Sequence, residues 1–213
     1  MKAFVIYVEK YPESKEAALR CVESGKKYGV DVKLHKGYDT DGDPVKVAEM
    51  YGIPTENFRE KFSRFENCLA AFLSHHSLWL WSFKNQEEVL ILEHDAIFID
   101  EIRIPPYEGV LSYGAPSYGK FVTPPSIGVN KLVSKQYLPG AHAYLVKPSA
   151  AYALTEMARK YACPTDLYIR NDLFSFVQEY YPWPVLVRDS FTTIQKEEGC
   201  IAKHRYSDSY QII

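Results

Sequence analysis

The sequence is short of several features that would assign it to a class at once. It has only four cysteines, Cys21, Cys68, Cys163 and Cys200. None stands at the close spacing of a cysteine zinc site, so a zinc ribbon or finger is excluded. No run approaches the roughly 18 apolar residues of a membrane span. The first apolar stretch is broken by Glu9 and Lys10, too early for a secretory signal. Those features predict a cytoplasmic protein with free thiols. Neither charge dominates: the formal net charge is -2. That speaks against a strongly basic nucleic-acid binder while leaving room for a local basic groove. No internal repeat or low-complexity segment is present.

What remains is a globular composition. Of 213 residues, 46% are apolar and 24% charged, enough for one domain with a substantial core. The 17 tyrosines, 11 phenylalanines and 3 tryptophans are more than a sugar or base site needs, so packing takes most of them.

Along the chain, KAFVIYV from Lys2 reads as a buried strand. Ser14 to about Tyr28 reads as a helix with Ala17, Ala18, Cys21, Val22 and Gly25 on its apolar side, stopped by Gly29. Val30 to His35 alternates like a second strand. KGYDTDGDP is loop, because Gly, Asp and Pro crowd there. From Phe58 a helical stripe runs through Phe62, Phe65, Leu69, Phe72, Leu73, His76, Leu80 and Phe83. Ser63 and Glu66 have the spacing of a capping box at its start. A strand, EEVLILEHDA, follows. Pro105 to Gly140 is long, rich in Pro and Gly, and without helical signals. GAHAYLVKP is a strand, Ser149 to Tyr161 and Leu167 to Tyr180 are helices, and WPVLV is a strand. The tail from Lys196 is polar and irregular. Strands alternating with helices predict an α/β domain with a mainly parallel sheet flanked by helices.

In such sheets ligands bind at the carboxyl ends of the strands. VLILEHDAIFID places Glu93, His94 and Asp95 at one such end. Two carboxylates one residue apart suit a hard cation such as Mg²⁺ or Mn²⁺, which takes oxygen ligands together with substrate phosphates. The competing reading is a salt-bridged strand end. Without a cation, mutual repulsion is expected to raise the pKa of one or both carboxyls.

FLSHHSLWLW, followed by VLILEHDAIF, resembles glycosyltransferase family 25, the lipopolysaccharide-type and collagen galactosyltransferase group. Leu73, Ser74, His75 and Trp79 match its helix; Leu92, Glu93, Asp95 and Ala96 match its acidic strand end. FVIYVEKYPES, LHKGYD, GAHAYLVKPSAA and CPTDLYI are weaker echoes, so the resemblance spans most of the chain to about residue 195. His94 stands where the family has Asp, and EKYPESK replaces an arginine-rich turn.

The resemblance implies a Rossmann-like GT-A domain over residues 1–195 with a polar tail over 196–213. It implies an inverting, metal-dependent transfer of a hexose or pentose from a nucleotide-diphosphate sugar to a hydroxyl, most often on a saccharide. On this reading Asp166 is the base and Asp95 also serves catalysis. Val8, Glu9, Ser74, His75, Glu93 and His94 contact the donor. Glu93 and Asp95 hold Mn²⁺ or Mg²⁺, and His204, read from its own surroundings rather than from the resemblance, is a late metal or phosphate contact.

Each of these residues has a plainer role to weigh. Asp166 would cap a helix, with Asp172 a lesser candidate for the base. His75 would bond a neighbouring backbone or carboxylate group, and His76 on the apolar stripe reads as a core histidine. Ser74 and His75 are adjacent in a helix and diverge, which rules out a Ser-His nucleophile pair. His204 sits between Lys203 and Arg205 in what reads as a solvated tail. One alternative keeps the chemistry but takes hydroxymethylated or glycosylated DNA bases, with Lys131, Lys135, Lys203 and Arg205 forming a cationic groove. Another is a non-catalytic binding module that lost its metal site through His94.

Overall fold

The computed structural model describes residues 1–59, 63–188, 191–196 and 211–213. In chain order the elements are β1 (Lys2–Tyr7), α1 (Pro12–Lys27), β2 (Val32–Lys36), α2 (Pro44–Tyr51), α3 (Phe65–Asn85), β3 (Val89–Glu93), β4 (Ala96–Phe98), β5 (Val110–Ser112) and β6 (Gly128–Lys131). Then come β7 (Ala143–Val146), α4 (Pro148–Ala158), α5 (Thr165–Tyr168), β8 (Val177–Tyr181), β9 (Val185–Val187), β10 (Phe191–Thr192) and β11 (Gln211–Ile212).

Seven strands form one sheet in the order β2-β1-β3-β7-β5-β8-β6. β2, β1, β3, β5 and β8 run one way, while β7 and β6 run against them. The α/β, mainly parallel sheet read from the sequence is therefore what the chain forms. β4 pairs with β9, and β10 with β11, in separate two-stranded ribbons.

Alternation along the strands separates two cores. Ile91 of β3 and Tyr144 and Val146 of β7 pack with Leu69, Phe72 and Leu73 of α3 and Leu154 of α4. Leu90, Leu92, Ala143 and Leu145 point the other way, onto Ala18 and Cys21 of α1. α1 starts with Pro12 in its first turn and ends before Gly29, whose φ of 75° only glycine adopts without strain. At Gly25 a Cβ would meet Val32 at 2.8 Å, so the helix needs glycine to lie this close to β2.

Several sequence expectations are corrected. The capping box does not form: α3 begins after Arg64, with no side-chain cap. The helix read over Leu167 to Tyr180 is only α5, after which the chain runs to β8. Its alternate residues Val177 and Glu179 are buried between β5 and β6, and that pairing overrides local helical propensity. The Pro105 to Gly140 stretch supplies β5 and β6, and α2 was not foreseen. The end of the tail is a strand at Gln211–Ile212 rather than irregular chain.

Candidate active site

β1 and β3 run side by side in parallel, with Ile6 opposite Glu93. β3 ends at Glu93, His94 and Asp95 turn the chain, and β4 leaves for the other ribbon. The acidic trio thus occupies the gap where two parallel strands finish. A cleft of about 440 Å³ opens there, within the roughly 300–1,000 Å³ usual for small-ligand sites. It gathers Val8, Ser74, His75, Glu93, His94, Asp95 and Asp166 from far-apart segments, and adds Lys10, Tyr118, His142 and the segment Phe191 to Gln195.

Glu93 sits on the α3 side of the sheet. His75 Nε2 lies 3.1 Å from its Oε1, and the backbone N–H of Glu93 donates to the His142 carbonyl at 3.1 Å. Burial pushes the Glu93 carboxyl up. The hydrogen bond that His75 donates, helped by the electrostatic influence of the His142 and His94 rings beside it, outweighs this and holds it below the usual carboxylate range. The expected raised pKa from repulsion by Asp95 is therefore wrong for Glu93, because histidines surround it.

Asp166, across the cleft, has a raised carboxyl pKa. Burial lifts it, and the charge of Glu93 across the cleft adds to the lift, against hydrogen bonds from Tyr118 and Leu167. Tyr118 donates to Asp166 Oδ2 at 2.6 Å, and the Leu167 N–H donates to Oδ1 at 3.0 Å. Lys135 lies 3.9 Å above the Tyr118 ring and donates to the Tyr118 carbonyl at 2.7 Å. That lysine, assigned above to a DNA-binding groove, is thus engaged in shaping the cleft wall. Asp172 lies apart, exposed and paired with Arg170.

His94 and Val8 share a partner that the sequence did not reveal. Ser14, fully buried in α1, accepts from the Val8 N–H at 2.9 Å and meets His94 Nδ1 at 3.0 Å. His94 also stacks on Phe191, with ring centroids 5.2 Å apart. Asp95 lines the cleft, and its carbonyl accepts from the Arg188 N–H. Burial, with the Asp95 charge adding, pushes the Cys21 thiol up to about 12, so Cys21 is an inert core group. Ser74 lies in the wall with its hydroxyl engaged on both sides: it donates to the Ala70 carbonyl and accepts from the Tyr38 N–H, each at 2.8 Å. Glu9 is outside the cleft lining and pairs with Lys36 on the surface. His204, Lys203 and Arg205 lie outside the described residues.

His142 is the site residue that sequence reading passed over. Its ring, 1% exposed, fits between two glycines. A Cβ on Gly114 would lie 2.5 Å from its Nε2, and one on Gly140 2.5 Å from its Nδ1. The Gly-Ala-His order in GAHAY was a signal for it, since a glycine beside a strand marks close approach.

The fit for a metal is poor among the described residues. They contain no group of three or more His, Cys, Asp or Glu side chains placed to hold one. One Glu93 oxygen faces a ring nitrogen of His75, and His204 is not described.

The chain is similar in outline to several solved structures. Mouse xyloside xylosyltransferase 1 matches at 12% identity and a TM-score of 0.41, over 78% of this chain and 79% of that one. A variant of Drosophila β-1,4-galactosyltransferase 7, in complex with manganese, UDP-Gal and xylobiose, matches at 12% identity and a TM-score of 0.34. That match covers 72% of this chain but only 52% of the fly enzyme. CTP:phosphocholine cytidylyltransferase from Streptococcus pneumoniae matches at 10% identity and a TM-score of 0.36, over 86% of this chain and 91% of that one. No family model matches the chain, and no curated protein does. No helix among the described residues is long and apolar enough to cross a membrane.

Proposed function

We propose that the protein is a glycosyltransferase that binds a nucleotide-diphosphate sugar at the joined ends of β1 and β3 and passes the sugar to a hydroxyl of a saccharide. One observation carries the reading. The acidic strand end, Glu93 to Asp95, shares one cleft with Asp166, and Glu93 and Asp166 are close enough to feel each other's charge. Their environments drive the two carboxyls apart: Glu93 is kept ionised, and Asp166 is made a better proton acceptor. Pairs separated in this way mark acid–base assignments.

The chemistry follows from those roles. The acceptor hydroxyl attacks the anomeric carbon, and its proton passes to Asp166. A new carbon–oxygen bond forms as the bond to the diphosphate breaks, and the nucleoside diphosphate leaves. Attack from the Asp166 side, opposite the leaving group, inverts the anomeric centre. His94, braced by Ser14 and Phe191, and Lys10 stand on the β1 side, where the nucleotide and diphosphate would lie.

The test is thermal unfolding against a panel of nucleotide sugars, each with and without Mn²⁺. A ligand that binds only the folded state raises the melting temperature. At least one nucleotide sugar is expected to do so. No shift with any of them, in either buffer, overturns the reading.

A further inference from the structure

The site contains a buried row of polar groups that the transfer chemistry does not use. His75 and Trp79 are four residues apart on α3 and therefore share a face. Tyr144 of β7 is paired with Ile91 of β3, which puts it on the same side of the sheet as Glu93, two residues further along. Trp79 Nε1 donates to Tyr144 Oη at 2.9 Å, Tyr144 Oη lies 2.9 Å from His75 Nδ1, and His75 Nε2 lies 3.1 Å from Glu93 Oε1. Trp79 and Tyr144 are fully buried and His75 is 1% exposed, so the row is buried up to His75 and meets the cleft only at Glu93.

The hydrogens can be placed by counting. An indole nitrogen only donates, and a phenol has one hydrogen to give. Tyr144 already accepts from Trp79, so its own hydrogen goes to His75 Nδ1. A hydrogen on Nδ1 instead would set two donors against one oxygen and strand the phenol hydrogen in a dry core, an arrangement proteins avoid. The imidazole hydrogen therefore sits on Nε2 and points at Glu93.

We infer that Trp79 and Tyr144 are positioning residues that fix His75 as its Nε2–H tautomer, which ties down Glu93 Oε1 and leaves Oε2 to accept a hydroxyl of the bound sugar. No hydrogen bond from the described residues reaches Oε2, and the Glu93 side chain is 34% exposed toward the cleft. An ionised carboxylate only accepts, so its free oxygen selects a donor such as a hydroxyl. The sugar in this statement rests on the proposed function; the hydrogen placement does not.

Long-range ¹H–¹⁵N correlation spectra of uniformly labelled protein test it, with His75 assigned by the lost signals of His75→Asn. The expected wild-type spectrum shows Nδ1 without a hydrogen and Nε2 bearing one. In Tyr144→Phe the two nitrogen shifts should move toward each other as the tautomers mix. Affinity for the nucleotide sugar should fall about tenfold, the loss of one hydrogen bond to a charged group. Affinity for the matching nucleoside diphosphate, which lacks the sugar, should hold. A wild-type ring with its hydrogen on Nδ1, or on both nitrogens, overturns the inference even if Tyr144→Phe does not fold. Equal losses for both ligands overturn the sugar assignment. A wild-type protein that binds neither ligand overturns the proposed function instead, and the spectrum alone then decides the hydrogen placement.

Discussion

Tyr118 gives its hydroxyl hydrogen to Asp166 at 2.6 Å across 48 residues of sequence, and so ties the Pro- and Gly-rich segment to the candidate base. With Leu167 donating to the other oxygen, the carboxylate is fixed in direction. A base must point at the hydroxyl it deprotonates, and in the proposed function this pair of bonds sets that direction for Asp166.

Asp166→Asn should leave nucleotide-sugar binding unchanged and lower transfer by about 10²–10⁴, the usual worth of a positioned base. The same change should help stability. The folded protein holds the Asp166 proton more tightly than the unfolded chain, so the contribution of this group is full in acid and is lost as pH rises through its raised pKa. The variant should therefore match wild type in acid and melt above it at neutral and alkaline pH. Full transfer activity in the variant would end the base assignment.

Gly140→Ala should displace His142. The new Cβ would lie 2.5 Å from Nδ1 of a ring already held by Gly114 on its other side. We expect a cost of about 1–3 kcal/mol in chemical denaturation, as for other overpacked sites. Gly42→Ala, where a Cβ meets nothing within 4 Å, is the control and should cost far less. Adding His142→Ala to Gly140→Ala should recover most of the stability, and failure to recover it would show that the two positions are not coupled.

His76 should make the fold acid-sensitive. It packs against Tyr51, Phe72 and Trp79, with no hydrogen-bond partner for Nδ1 among the described residues. Burial, with the Arg159 charge adding, pushes its pKa down from 6.5 to about 4. Below 6.5 the unfolded chain takes up a proton that the folded one refuses. Stability should thus fall by about 1.4 kcal/mol per pH unit until the folded ring also titrates. His76→Phe keeps the ring contacts and should flatten this part of the pH profile. An unchanged slope would assign the acid sensitivity to other groups.

The strands and helices that carry their own pattern were legible. KAFVIYV and VLILE are apolar runs that are buried whatever lies beside them, and the α3 stripe is continuous over several turns. The acidic strand end was visible for the same reason, as charges that end an apolar run. The rest depends on partners far away in sequence. FSFVQEYY becomes strand only because β5 and β6 lie on either side of it. α2 had its signals in Asp43, whose side chain accepts from the Lys46 N–H, and in Gly52 at its end, but they sit in a stretch that reads as loop. The Glu93–Asp166 relationship and the Gly114 wall of the slot around His142 join segments far apart in sequence, which no local pattern encodes.

In the proposed function a nucleotide sugar lies across the ends of β1 and β3. Hydrogen exchange measures this most directly, with the nucleotide sugar that gives the largest thermal shift. Slowed exchange is expected from Val8 to Ser14, through His94 to Ala96 and at Phe191 and Thr192, with the outer strand β6 unchanged. Protection confined to other parts of the sheet, or no protection at these segments under saturating ligand, would contradict it.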